Sequence, residues 1–159
     1  MNNSLRFAII GFAVCCLISL IFATVYKHNV LKIEYLGNTS DYKKDEDVYV
    51  YYIDRTEIKK NHLEIHGWLI KPGINLIYVN NMYVLIDDDN KVYGIKTRSI
   101  KRAEVTMHFN DGFNYDNSGL HGQCPVGILS SSGRYRIGIL IREQNGNQYI
   151  KLTNEYIGE

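Results

Sequence analysis

Twenty consecutive positions, Phe7 to Tyr26 (FAIIGFAVCCLISLIFATVY), carry no charge, and after them apolar and polar residues alternate in short runs to the end of the chain. A helix rising about 1.5 Å per residue would carry these twenty residues across roughly 30 Å, the hydrocarbon thickness of a bilayer. The pattern therefore predicts a membrane helix over 7–26 behind a short head, residues 1–6. A cleaved signal peptide has an apolar region of about 7–15 residues and a small-x-small cleavage site. Here the run is longer and ends Phe22-Ala23-Thr24-Val25-Tyr26, which points to an uncleaved anchor. Lipidation wants a small residue just before the cysteine, whereas Val14 precedes Cys15 and Cys15 precedes Cys16.

A linker is expected over 27–47, ending in the polar stretch GNTSDYKKDED. From residue 48 the chain becomes β-type runs rich in Val, Ile, Tyr and Thr: 48–53, 63–70, 82–86, 92–97, 103–109, 135–142 and 148–153. No helical period is evident in this part. Between the runs lie Lys71-Pro72-Gly73, Asp87–Asn90, Asp111-Gly112, Ser130–Gly133 and Asn145-Gly146, all residues that preset turns or accept positive φ. Asn145-Gly146 predicts a type I′ hairpin between the last two runs. In Leu63-Glu64-Ile65-His66-Gly67-Trp68-Leu69, Leu63, Ile65 and Leu69 share one face while Glu64, His66 and Trp68 share the other. Seven short strands with one apolar face each predict an all-β, antiparallel β-sandwich over 48–159, with a small barrel as the alternative.

Composition bounds this picture. The chain has 159 residues, with 18 Lys+Arg against 17 Asp+Glu. Its mean hydropathy of -0.21 averages two unlike parts. The stretch beyond the apolar run is one domain's worth of chain, which excludes a multidomain enzyme. A net charge of +1 removes the electrostatic case for nucleic-acid binding. Arg6 and the terminal amine are balanced by Lys27 and Lys32, so loop charge barely orients the helix. A short polar head before the helix and a folded domain after it favour the domain outside. Cys15 and Cys16 fall in the apolar run, leaving Cys124 alone in the domain without a disulfide partner.

The motif order resembles a family of small β-domains attached to membrane proteins and glycosyltransferases of bacterial surface-polysaccharide clusters. That family runs I-x-G-W, then y-x-x-L, R-x-D-V, Y-x-x-S-G-F and G-x-Y-x-I-x-I. This chain has Ile65-His66-Gly67-Trp68, Tyr83-Val84-Leu85, Arg102-Ala103-Glu104-Val105, the segment Tyr115-Asp116-Asn117-Ser118-Gly119-Leu120, and Gly133-Arg134-Tyr135-Arg136-Ile137-Gly138-Ile139. Glu104 stands where the family has Asp, Leu120 where it has Phe, and Tyr83-Val84-Leu85 is one residue shorter than y-x-x-L. Across 63–141 the resemblance implies a β-sandwich working at the cell envelope, near glycans. The layout also resembles a sortase, with an anchor, a β domain, one soluble cysteine, histidines and a later arginine. A sortase cysteine closes a Thr-Leu-x-Thr-Cys strand, whereas Cys124 follows Gly122-Gln123 and precedes Pro125.

Cysteine chemistry would require a thiolate activated by a base, and Cys124 with His121 or His108 supplies the residue types. The competing reading is a buried apolar cysteine, so no catalytic residue is assigned. His121 and Cys124 have ligand-like spacing, but a structural zinc site needs about four ligands and no second compact pair exists, so no metal or cofactor is assigned either. Asp87-Asp88-Asp89-Asn90 reads as a polar turn, since Lys91 and Arg98 occupy EF-hand ligand positions. Phosphate-loop, nucleophile-elbow and metalloprotease motifs are absent. Arg102 and Glu104, at i and i+2 of an expected strand, would pair on one face. Sugar rings stack on aromatic side chains. Trp68 and the many tyrosines, Tyr78 and Tyr115 among them, therefore supply candidate platforms, and the loop 110–123 a candidate binding edge. Trp68, Arg102, Glu104 and Tyr115 are the candidate binding residues. The expected function is a non-catalytic accessory module of the bacterial envelope. It would be anchored in the membrane and bind a cell-surface glycan or a partner, and nucleic acid is excluded. The alternatives are a cysteine transferase built on Cys124 and a structural partner of another membrane protein.

Overall fold

The computed structural model describes residues 3–30, 33–44, 48–76, 80–129 and 133–158. Tyr78, residues 45–47 of the expected linker and most of the 130–133 turn lie outside the described residues. The chain divides after residue 32 into two compact units. The first is a helix, α1 (Asn3–Val30), extending beyond both ends of the apolar run. Among the described residues no helix is long and apolar enough to cross a membrane. The described side chains of α1 run unbroken only over residues 9–25, every one of them exposed.

The second unit, Ile33–Glu159, is mainly β. Its strands are β1 (Glu34–Asn38), β2 (Lys43–Lys44), β3 (Val50–Lys59), β4 (His62–Ile70), β5 (Met82–Ile86), β6 (Lys91–Gly94), β7 (Lys96–Ile100), β8 (Gly119–Pro125), β9 (Tyr135–Arg142) and β10 (Gln148–Ile157). They form a six-stranded sheet in the order β1-β6-β5-β9-β10-β2 and a four-stranded sheet in the order β3-β4-β8-β7. All the pairings are antiparallel except the short β10–β2 contact. The two curled sheets bury one main core, with Leu63, Ile65 and Leu69 from β4 meeting Leu85 from β5 and Ile137, Ile139 and Ile141 from β9. This is the coarse arrangement expected of a β-sandwich or half-barrel.

The β4 alternation holds, with Leu63, Ile65, Gly67 and Leu69 buried and Glu64, His66 and Trp68 half-buried on the opposite face. Four local expectations change. First, the expected linker contains β1 and β2, which edge the larger sheet. Second, the run 92–97 breaks at buried Ile95, where the chain leaves β6 in one sheet and enters β7 in the other. Ile95 spans this corner by donating its N–H to the Tyr83 carbonyl. Third, residues 103–109 form a helix, α2 (Ala103–Phe109), not a strand. Val105 is buried while Met107 is 71% exposed. Their separation fits a helix packing its i, i+4 face, Val105 and Phe109, against Ile70 and Tyr115. Fourth, the 145–146 hairpin exists, but Gly146 donates to the Glu143 carbonyl and only Gly146 has positive φ, at 86°. That is a three-residue loop built on a type I turn, not type I′. The Asp87–Lys91 turn is closed in the same way, with Asn90 at φ 63°.

Tyr83 joins the sheets. Its fully buried ring projects from β5 against the four-stranded sheet, where Gly67 and Gly122 lie on the adjacent strands β4 and β8. A Cβ at Gly122 would come within 2.7 Å of the ring, and one at Gly67 within 2.7 Å of the Tyr83 hydroxyl. The hydroxyl is buried without a hydrogen-bond partner among the described residues, and burial raises its pKa above the ordinary phenol value. A second tie crosses between loops. Tyr49 and Lys71 both donate to Glu143 Oε1, at 2.7 and 2.9 Å. These bonds, Tyr49's first, hold the Glu143 carboxyl down to about 2.

Two stability measurements test these ties. Gly122→Ala forces a methyl into the Tyr83 ring and is expected to cost about 1–3 kcal/mol, as overpacking does. Tyr83→Phe removes an orphaned hydroxyl and is expected to leave the unfolding free energy unchanged or raise it by on the order of 1 kcal/mol. A large drop for Tyr83→Phe would mean that the hydroxyl is paired. Glu143 has a folded pKa below its unfolded value of about 4.3, so its contribution is present above that pH and is lost as pH falls toward about 2. Glu143→Gln is expected to flatten that part of the stability profile in denaturant titrations between pH 2 and 6. At neutral pH it is expected to cost about 1 kcal/mol, because water screens the partly exposed carboxylate.

Candidate functional site

The four-stranded sheet has one face toward the core and one away from it, and strand alternation decides which chemistry appears on each. On β8, Leu120, Gly122 and Cys124 alternate with His121 and Gln123. Cys124 is therefore on the core face, and His121 is on the opposite face. Cys124 is buried in the main cluster, and burial alone pushes its thiol up to about 12. Among the described residues no base or positive group lowers it, which is the opposite of the activation that the transferase reading requires. His108 is exposed on the last turn of α2, with its ring edge-on to Phe109.

The outer face is ordered in cross-strand rows. Tyr52 on β3 is registered with Trp68 on β4 and Trp68 with Gly119 on β8. The Tyr52 and Trp68 rings stack, with centroids 6.3 Å apart and planes 28° apart, and Phe109 of α2 meets Trp68 edge-on at 5.7 Å. Tyr52 is 58% exposed and Trp68 half-buried, so the platform is open to solvent.

Arg102 borders this row. With no side chain at Gly119, its aliphatic stem lies in the space a Cβ there would fill. Its guanidinium donates from Nη1 and Nη2 to both carboxylate oxygens of Asp54, at 2.5 and 3.2 Å, and its Nε bonds Glu104. Asp54 is presented there because β3 bulges between Ile53 and Arg55. The expected Arg102–Glu104 pairing is thus found, although Arg102 caps the helix and Glu104 occupies its first turn instead of both lying on a strand. The bond from Arg102 holds the Glu104 carboxyl below its ordinary value, and the bond to Asp54 raises the pKa of Arg102.

The next row is Arg55, His66, His121 and Arg98, one residue from each of the four strands. The two imidazoles stack, with centroids 4.1 Å apart and planes 19° apart. Arg98 Nε donates to His121 Nδ1 at 2.9 Å. Burial first, then the electrostatic influence of His66 and Arg98, lowers the His121 pKa. The following row brings Glu57, Glu64, Gln123 and Lys96 together.

Of the expected binding residues, Trp68, Arg102 and Glu104 therefore share the region of the outer face beside α2. Tyr115 does not. It is fully buried with Ile70 and Val105, accepts from the Gly73 N–H and donates to Asp111, and so supports α2 from within. The loop expected over 110–123 ends early, because residues 119–125 are the inner strand β8. Sequence reading missed Tyr52 and Asp54 as partners, and it missed the cluster Glu64, His66 and His121. The outward placement of Glu64 and His66 was legible in the β4 alternation. The register of β8 beside β4 was not.

In a Cys15→Ser, Cys16→Ser background, Cys124 is expected to resist a thiol-reactive disulfide reagent at pH 8 until denaturant is added. Rapid labelling of the folded protein at pH 7 would restore a reactive thiol. No family model, curated protein or solved structure matches this chain.

Proposed function

We propose that the domain is a non-catalytic binding module that works at the bacterial cell envelope, held to a membrane by α1, and that the outer face of the four-stranded sheet receives a glycan. The observation that carries this reading is the exposed Tyr52–Trp68 stack bordered by the Arg102–Asp54 pair. A sugar ring presents an apolar C–H face that lies on aromatic rings and a rim of hydroxyls that need fixed donors and acceptors. Both halves are present side by side, Tyr52, Asp54 and Trp68 on strands and Arg102 at the cap of α2, so little ordering is required on binding. Anchoring is supported by the exposed apolar side chains of residues 9–25. Thr24 adds to this by donating its hydroxyl to the Ile21 carbonyl at 2.8 Å, the internal satisfaction that a lipid environment demands. A protein partner is the second reading, favoured by Met107, a large apolar side chain exposed on α2.

Trp68 is the only tryptophan, so its fluorescence reports this face alone. Titration of the full chain in detergent micelles with soluble fragments of surface polysaccharide is expected to give a saturable change. Trp68→Phe and Tyr52→Ala are each expected to weaken binding, measured by calorimetry, by about 0.5–1.5 kcal/mol, and Cys124→Ser to leave it intact. Absence of any saturable response to glycans, with Trp68 still quenched by a membrane-protein extract, would favour the partner instead.

A further inference from the structure

We propose that Glu64, His66 and His121 form a site for a divalent transition metal of the zinc class on the outer face of the four-stranded sheet. One ligand atom from each of the three side chains falls within 4.8 Å of the other two. The arrangement follows directly from the sheet. Glu64 and His66 are at i and i+2 of β4 and so share a face, and His121 of β8 is directly opposite His66. Two imidazoles and one carboxylate are donors for zinc, cobalt or nickel, not for calcium or magnesium, which take oxygen ligands. Three protein ligands leave a coordination position open.

His121 supplies a second, independent observation. It is 6% exposed, and its Nε2 is buried with no hydrogen-bond partner among the described residues. Since Arg98 engages Nδ1, Nε2 is the nitrogen left to a metal. An unsatisfied buried polar atom carries a cost that coordination removes. Around it, the remaining groups are already arranged. Gln123 Nε2 donates to Glu64 Oε1, and His66 Nε2 is 3.8 Å from Glu64 Oε2, too long for a hydrogen bond and near the spacing of two ligands on one ion. Among the neighbouring cations, Arg55 and Lys59 are paired with Glu57 at 3.1 and 2.6 Å. Lys59 also stands 3.6 Å from Glu64, and an Arg55 nitrogen stands 3.4 Å from His66 Nε2.

Metal binding has two local requirements. The stacked rings tilt so that their lone pairs converge, since ligands about 2.1 Å from one ion are closer together than the present 4.8 Å limit. Coordination through Nε2 also moves the His121 proton to Nδ1, which then needs an acceptor where Arg98 now donates. Arg98 is exposed and must swing away. Arg98 on His121 Nδ1, together with Arg55 on His66 Nε2, holds the site in its metal-free form.

The test is titration of the chelator-treated full chain, in detergent micelles, with Co²⁺ alone and then with Zn²⁺. The expected result is one Co²⁺ per chain with the visible absorption of a four- or five-coordinate ion, displaced by Zn²⁺. Glu64→Gln retains the acceptor for Gln123 but loses the charge, and is expected to weaken Co²⁺ binding at least about tenfold. His121→Asn is expected to do the same, with far-UV circular dichroism confirming the fold. His108→Asn, at an exposed histidine off the cluster, is expected to leave binding unchanged. Arg98→Gln puts an acceptor beside Nδ1 and is expected to tighten binding several-fold. Absence of the cobalt spectrum, affinity unaffected by Glu64→Gln, loss of binding in His108→Asn, or weaker binding in Arg98→Gln would each overturn the assignment.

Discussion

The packing of Tyr83 against Gly67 and Gly122 is the constraint on which the domain rests. A full aromatic ring from the six-stranded sheet reaches the backbone of the four-stranded one only because two adjacent strands omit a side chain at that point. Protein interiors are close-packed, so the position of this ring sets how near the sheets can approach and where each strand can stand. The same residue fixes the corner where the chain changes sheets. The Tyr83 carbonyl accepts from Ile95, and its N–H donates to Thr97 Oγ1 at 2.9 Å. Core thickness and connectivity are thus joined in one side chain and its backbone.

From that constraint comes the separation of chemistry between the two faces of the smaller sheet. Gly122 must face Tyr83, so Leu120 and Cys124 face the core with it, and His121 and Gln123 face outward. A cysteine and a histidine three positions apart on a strand are on opposite sides, which removes the dyad that a transferase would need. The same alternation puts His121 against His66 and Trp68 against Tyr52. Cys124 and the outward cluster of imidazoles, carboxylates and aromatic rings thus lie on opposite faces of the smaller sheet.

Helix α2 completes the outer face, and it shows how two periodicities can share one sequence. In Ala103–Phe109, Val105, Met107 and Phe109 alternate as a strand would, while Val105 and Phe109 also fall four apart as a helix would. Isolated, seven residues do not decide between them. Val105 and Phe109 both have apolar partners in Ile70, Tyr115 and Trp68, and Met107 has solvent. Helical packing buries the two residues that have somewhere to go, and it carries Arg102 to the cap position from which it reaches Asp54.

By itself, the sequence determined the local periods. It marked the uncharged run at 7–26, the strands with one apolar face, the outward set Glu64, His66 and Trp68, and most of the turns, because alternation and turn chemistry act between residues close in the chain. Tertiary structure alone decided the rest. Pairing β8 between β4 and β7 brings residues about fifty positions apart together, so His66 with His121 and Arg102 with Asp54 could not be seen in any local window of sequence. Burial of Tyr115 and Cys124, both candidates by residue type, was decided in the same way. Their exposure depends on what the other sheet and α2 lay over them, and that depends on how closely the sheets pack at Tyr83.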